Sequence, residues 1–160
     1  MDDRKALADF RGYYGVAFYN PRCGYNIGSI MRCTRRLGGS FMHIIGNRYK
    51  QQASDTGKAW KHVPLTHFQD IDDMFNFGIP YGCKVIGVEF GYDKCQSLDT
   101  YIHPERALYV MGAEDHGLPK TVAQRCHELV YVHSLGCLNV ANTCAIVLND
   151  RMMKIRQSRS

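Results

Sequence analysis

The feature that most constrains this chain is a set of short runs, mostly of consecutive apolar residues, at Tyr13–Tyr19, Phe41–Ile45, Val63–Leu65, Lys84–Phe90, Ala107–Met111 and Leu129–His133. A strand with one wet face alternates apolar and polar residues; these runs are mostly too continuous for that and read as strands covered on both faces. Between them lie helical periodicities at about Ile27–Leu37, His67–Phe77, Pro119–Cys126 and Asn139–Arg156. Strand and helix therefore alternate, which predicts an α/β fold: a mostly parallel sheet with flanking helices. A chain of 160 residues is long enough to bury roughly 70% of its unfolded surface in one core. No repeat, low-complexity tract or linker divides it, so residues 1–160 are read as a single domain.

The first long helix is the most sharply defined. Ile27, Ile30, Met31, Thr34 and Leu37 share one stripe, and Gly38-Gly39 supply a stop suited to positive φ. Arg32 points away from that stripe, flanked by Arg35 and Arg36. Pro119 fits the first position of its helix.

Composition excludes several classes. At 45% hydrophobic and 22% charged the chain is an ordinary globular one, neither disordered nor fibrous. The first ten residues, MDDRKALADF, hold no apolar signal region, and no window approaches the roughly 20 apolar residues of a membrane span. Residence in the cytoplasm, away from any membrane, is expected. The seven cysteines form no C-x-x-C pair and read as reduced thiols. The nearest approach to a zinc set is Cys126, His127, His133 and Cys137, spread around a strand, so no metal is expected. A formal charge of +5 favours a polyanionic partner without specifying one.

Three loops at the carboxyl ends of strands hold the unusual residues, which is where open α/β sheets place a ligand crevice. The first runs from Asn20 through Asn26 and Gly28 to Arg32 and enters a helix N-terminus, where Asn26 and Gly28 fit a cap with room for a phosphate and Arg32 can fork onto the same anion. The second, Gly112-Ala-Glu114-Asp-His-Gly117, is a glycine-flanked acidic turn. In the third, Val132 to Thr143, Asn139 can cap the last helix. Taken singly, each is equally a plain connection: an N-cap with a solvated basic face, an exposed acidic turn, a strand–turn–helix joint.

Taken together, in this order and spacing, they resemble the three motifs of the SpoU (TrmH-like) branch of the SPOUT methyltransferases: N-x-G-x-x-x-R-x-x-x-x-x-G at Asn26 to Gly38, G-x-E-x-x-G-[LI] at Gly112 to Leu118, and a final S-L-N-V represented by Cys137-Leu138-Asn139-Val140. The length is most similar to the minimal TrmL-type members, which methylate the wobble ribose of tRNA. The resemblance implies a deep C-terminal trefoil knot, a homodimer joined through the first and last long helices, and transfer of a methyl group from S-adenosylmethionine to a ribose 2′-hydroxyl of RNA, most readily tRNA. It assigns catalysis to Arg32, with Asn26, Glu114 and Asn139 as its polar shell. It assigns the cofactor to Val88, Gly112, Val132, Cys137 and Leu138. RNA would lie on Arg35, Arg36, Arg48, Lys58 and Lys61, where cations alternate with Tyr49 and Trp60.

One departure is plain: Cys137 stands where the family has serine, in a loop shorter than usual, and a thiol is the poorer donor. An RNA-binding protein that keeps the pocket without turnover is the alternative this allows. The Asn26/Arg32 pair argues against a base methylator of the same fold. A dinucleotide-binding domain would need G-x-G-x-x-G after the first strand, which Gly24 and Gly28 do not satisfy.

Overall fold

The computed structural model describes residues 12–46 and 59–158. Seven strands, β1 (Tyr13–Tyr19), β2 (Phe41–Ile45), β3 (Leu65–Phe68), β4 (Lys84–Val88), β5 (Cys95–Ser97), β6 (Arg106–Met111) and β7 (Glu128–Tyr131), form one sheet in the order β3-β2-β1-β6-β4-β7-β5. Every pairing is parallel. The helices among the described residues are α1 (Gly24–Arg36), α2 (Ile71–Phe77), α3 (Lys120–Ala123) and α4 (Val140–Ser158), with 3₁₀ turns at Ala59–Lys61 and Leu98–Thr100.

The continuous apolar runs are explained by two cores, one on each side of the sheet. Tyr14, Val16 and Phe18 of β1 face Ile27, Ile30 and Met31 of α1 and Ala141, Cys144, Val147 and Leu148 of α4. On the other side Ala17, Phe41, Leu108 and Val110 meet Met74 of α2 and Val122 and Ala123 of α3. Each fully buried Val, Leu, Ile, Phe or Met among them contributes about 1.5–3 kcal/mol by leaving water. All five residues of β2 are buried, as a central position between covered faces demands.

The α1 stripe is buried as its periodicity predicts, apart from half-buried Leu37, and the helix stops at Gly38, whose φ is 94°. Three expectations need correction. The stretch 67–77 is not one helix: Leu65–Phe68 forms β3, which replaces the strand expected at 63–65, and the helix starts at Ile71. Asp70 caps it by accepting from the Asp73 N–H at 2.9 Å, while the Asp73 carboxylate accepts from the Gln69 N–H at 3.1 Å. Pro119 is the N-cap of α3 rather than its first residue. The edge strand β5 has no apolar run and was not expected.

Beyond β1 the chain steps outward to β2 and β3, then returns to lay β4 on the other side, with β6 entering between them. The carboxyl ends of β1, β6, β4 and β7 therefore sit side by side at the point where the winding reverses, where a crevice is expected.

Candidate active site

Strand register brings the three loops together. Met111, which precedes Gly112, pairs with Val88, and Val88 pairs in turn with Val130, two residues before Val132. The cofactor positions expected at Val88, Gly112 and Val132 thus occupy three adjacent strand ends. Cys137 and Leu138 lie farther along the third loop, both exposed, and Asn139 ties that loop back to the first.

A chain of hydrogen bonds links all three motifs. The Glu114 carboxylate accepts from the backbone N–H groups of Arg22 at 2.8 Å and Cys23 at 3.0 Å, and from Asn26 Nδ2 at 2.9 Å. Asn139 Nδ2 donates to Asn26 Oδ1 at 3.0 Å, and Asn139 Oδ1 accepts from the N–H groups of Ala141 at 2.9 Å and Asn142 at 3.3 Å. The carboxylate fixes every amide orientation. It can only accept, so Asn26 must turn its NH₂ to Glu114 and its carbonyl to Asn139, whose own carbonyl is then left for the helix. Burial pushes the Glu114 carboxyl up, but the Asn26 amide and the backbone donors outweigh it and hold the group below the usual carboxylate range.

This arrangement corrects the reading of the first loop. The N-cap of α1 is Cys23, with no side-chain cap; Asn26 is the buried third residue of the helix, and Gly28 lies a turn in. The anion at the entry to α1 is the Glu114 carboxylate, on donors that the sequence reading gave to a phosphate. A salt bridge from Arg22 to Asp115, 3.2 Å, closes the outside of the same joint. Asn139 is the cap of α4, as expected.

Arg32 lies half-buried on α1 beside Cys33, six residues beyond Asn26 and so about 9 Å farther along the axis. Arg35 is half-buried and Arg36 exposed in the last turn of α1. Lys61 is exposed, with its ammonium 5.3 Å from the Trp60 ring, on the 3₁₀ turn that packs against α1. Arg48 and Lys58 lie outside the described residues.

The strand ends also carry glycines in contrasting surroundings. Gly112 has no room for a side chain, since a Cβ there would stand 2.2 Å from the Gly117 carbonyl carbon. A Cβ at Gly136 or at Gly91 would meet nothing within 4 Å, and their chain neighbours Leu135 and Phe90, like Leu138, are exposed. Among the described residues no group of His, Cys, Asp or Glu could hold a metal, and no helix is long and apolar enough to cross a membrane.

Residues 14–149 match the SpoU rRNA methylase family. The chain belongs to that family. An uncharacterized tRNA/rRNA methyltransferase of Mycobacterium avium strain 104 is 27% identical over 145 residues, which are 84% of this chain and 45% of that protein. This SpoU chain therefore spans less than half the length of the curated relatives it matches. The SpoU methyltransferase AviRb of Streptomyces viridochromogenes, solved with AdoMet, superposes with a TM-score of 0.78 at 21% identity, covering 94% of this chain and 59% of that one. A structure solved for 2-OH methylation of C/U34 on tRNA superposes with a TM-score of 0.78 at 20% identity, covering 92% and 99%. At these identities the neighbours establish a shared SpoU fold.

Sequence reasoning missed two groups at the second motif: Glu89, directly after Val88, and Tyr92, both bonded to Leu118. The available signal was an acid at the carboxyl end of an otherwise apolar strand.

Proposed function

We propose that this SpoU chain is an RNA 2′-O-ribose methyltransferase dependent on S-adenosylmethionine, acting on tRNA and most readily at the wobble ribose. The observation that carries the reading is the Glu114–Asn26–Asn139 chain, which gathers three distant sequence motifs at one set of strand ends. Family membership and the tRNA and rRNA methyltransferases among its relatives support it. The neighbour solved for C/U34 methylation, matched over nearly its whole length, favours tRNA over rRNA.

Val88, Gly112, Val132, Cys137 and Leu138 would hold the cofactor, mainly through backbone and apolar contact, so serine's replacement by Cys137 leaves that grip intact. When bound, S-adenosylmethionine supplies a methyl group on an electrophilic sulfonium. Arg32 grips the phosphate beside the reacting ribose and eases loss of the 2′-hydroxyl proton by its charge. As a base it would have to surrender a proton held above pH 12, several kcal/mol away at neutral pH. Asn26, Glu114 and Asn139 keep loop and helix in the register that in-line attack requires. Arg35, Arg36 and Lys61, with Arg48 and Lys58, form the RNA surface.

The unit that acts is residues 1–160 as one domain, in the cytoplasm, as a homodimer. On α4, Ala141, Cys144, Val147 and Leu148 are buried in the chain's own core, while Ile146 and Met153 remain exposed along a cleft of about 300 Å³, available to a second copy. Family membership supports the C-terminal knot.

The test is to expose unmodified tRNA and rRNA to the purified chain with tritiated S-adenosylmethionine and to map the 2′-O-methylated nucleotide. Arg32→Ala should retain cofactor affinity and lose transfer by at least about a hundredfold, as when transition-state stabilisation is deleted. Cofactor binding without transfer to either RNA would favour the non-catalytic RNA-binding alternative, and undiminished activity in the variant would remove Arg32 from its role.

A further inference from the structure

The second loop is held by two carboxylates. Glu114 ties it to the first motif; a second carboxylate, outside all three motifs, reaches it from the residue after β4. Glu89 Oε2 accepts from the Leu118 N–H at 2.7 Å, and Glu89 Oε1 accepts from the N–H of Phe90 in its own loop at 3.0 Å. Tyr92 donates its hydroxyl to the Leu118 carbonyl at 2.5 Å. Both polar groups of the Leu118 backbone are thus taken by the β4–β5 connection, and its side chain is fully buried in the second core.

The turn itself is built to accept that strut. Ala113 and Gly117 exchange backbone hydrogen bonds of 3.0 and 2.8 Å, closing it on itself. Gly117 has a φ of 63°, and a Cβ there would lie 2.2 Å from Glu89 Oε2, so only glycine lets the carboxylate approach. The Glu89 backbone is fixed as well, because its N–H continues the β4–β7 ladder onto the Val130 carbonyl at 3.0 Å. Glu89 therefore couples the ends of β4 and β7 to the turn after β6, the three strand ends that carry Val88, Val132 and Gly112.

We propose that Glu89 is a positioning residue that sets the Gly112–Leu118 turn for cofactor binding, with Tyr92 as its second brace; this rests on the reading that the turn cradles S-adenosylmethionine. Glutamine at this position keeps the shape but offers one acceptor where two N–H groups need one each, and it turns an NH₂ toward the other. The loss of one charge-assisted bond to a buried N–H is felt wherever the turn must hold its form against a ligand.

The experiment compares the wild-type chain with Glu89→Gln and Tyr92→Phe. Calorimetric titration with S-adenosylhomocysteine should show Kd about tenfold higher in Glu89→Gln, the scale of one lost charged hydrogen bond, and a smaller rise in Tyr92→Phe. The KM for S-adenosylmethionine should rise with it, while kcat and the KM for RNA stay within about threefold, the reverse of the Arg32→Ala pattern. Amide exchange at Leu118 should quicken in ligand-free Glu89→Gln, a readout independent of turnover. If Glu89→Gln does not fold, Tyr92→Phe decides. Affinity within twofold of wild type in the folded variants, with only the melting temperature lowered, overturns the proposal and leaves the function standing. A wild-type chain that binds neither S-adenosylhomocysteine nor S-adenosylmethionine overturns the functional reading and this inference with it.

Discussion

Helix α4 is fastened to the sheet twice, and the two fastenings differ in kind. At its start Asn139 joins an exposed joint of loops: Glu114 is half-buried, the third loop is mostly solvent-facing, and the bonds run between side chains and turn backbone. At its second half Arg151 and the neighbouring His103 are sunk in the core, with Asp150 and Lys154 half-buried at its edge. Arg151 is almost completely buried and donates to the carbonyls of Pro104 at 2.5 Å and Glu105 at 2.7 Å, its guanidinium 4.5 Å from the Tyr14 ring. Next to it His103 lies between the Tyr109 hydroxyl at 2.6 Å and Asp150 at 2.8 Å, and Asp150 meets Lys154 at 2.8 Å. Similar groups are used at both ends. The Arg151 and His103 side chains are out of reach of water and the Glu114 joint is not, so the first fastening can be reshaped by a ligand while the second can only be kept or broken.

The sharpest way to break this contrast is Arg151→Ala. The Pro104 carbonyl loses the Arg151 donor, the Glu105 carbonyl keeps only the Tyr13 N–H, and a cation leaves the face of Tyr14, so urea unfolding should show a loss of about 3–5 kcal/mol, the range for dismantling a buried charged group's network. Arg151→Lys should recover less than half of it, because an ammonium cannot fork onto two carbonyls. A loss below about 1 kcal/mol for the alanine variant would mean that the buried end is no firmer than the exposed one.

The same contrast marks what could be read from sequence. β1 and β2 were legible to the residue because central strands covered on both faces must be apolar throughout. The strand displaced in the reading, β3, and the one missed, β5, are the two edges of the sheet, short and partly wet, with Thr66, His67 and Gln96 exposed and so no continuous run to see. In the site, Asn26, Glu114 and Asn139 were legible because spacing within a motif is local information. Glu89 was not, since its partner is 29 residues away and is set by the register of β4 beside β6. Arg151 was hidden for another reason: a charge in a helix reads as solvated unless the structure shows carbonyls waiting for it.

A smaller effect sharpens the comparison through pH. Asp150 only accepts, so His103 must carry its proton on Nε2 and accept from Tyr109 at Nδ1, a neutral ring with both nitrogens satisfied. Burial, reinforced by Arg151 and Lys154 and opposed by Asp150, lowers its pKa from 6.5 to about 4. Below pH 6.5 the unfolded chain binds a proton here that the folded chain refuses until about pH 4. Stability is therefore full above 6.5 and falls across that window by at most about 1.4 kcal/mol per pH unit from this group. Denaturation midpoints of wild type and His103→Gln, followed from pH 7 to 4.5, should converge as pH falls; parallel curves would show that His103 does not carry the slope.

The smallest effect separates the two jobs of Asn139 at the exposed end. Its carbonyl caps α4 and its NH₂ serves Asn26. Asn139→Ala removes both and should cost about 1 kcal/mol of stability, the usual worth of an N-cap. Asn139→Asp keeps acceptors for the N–H groups of Ala141 and Asn142, so it should stay within about 0.5 kcal/mol of wild type. Its second oxygen, however, faces the Asn26 carbonyl, and Asn26 cannot turn over to answer it, because its NH₂ is held by Glu114. Methyl transfer should therefore fall by a similar factor, about tenfold, in both variants although only one has lost its cap. If the aspartate variant transfers at the wild-type rate, the link between the first and third motifs is only a helix cap, and the exposed joint has no more say in the chemistry than the buried one.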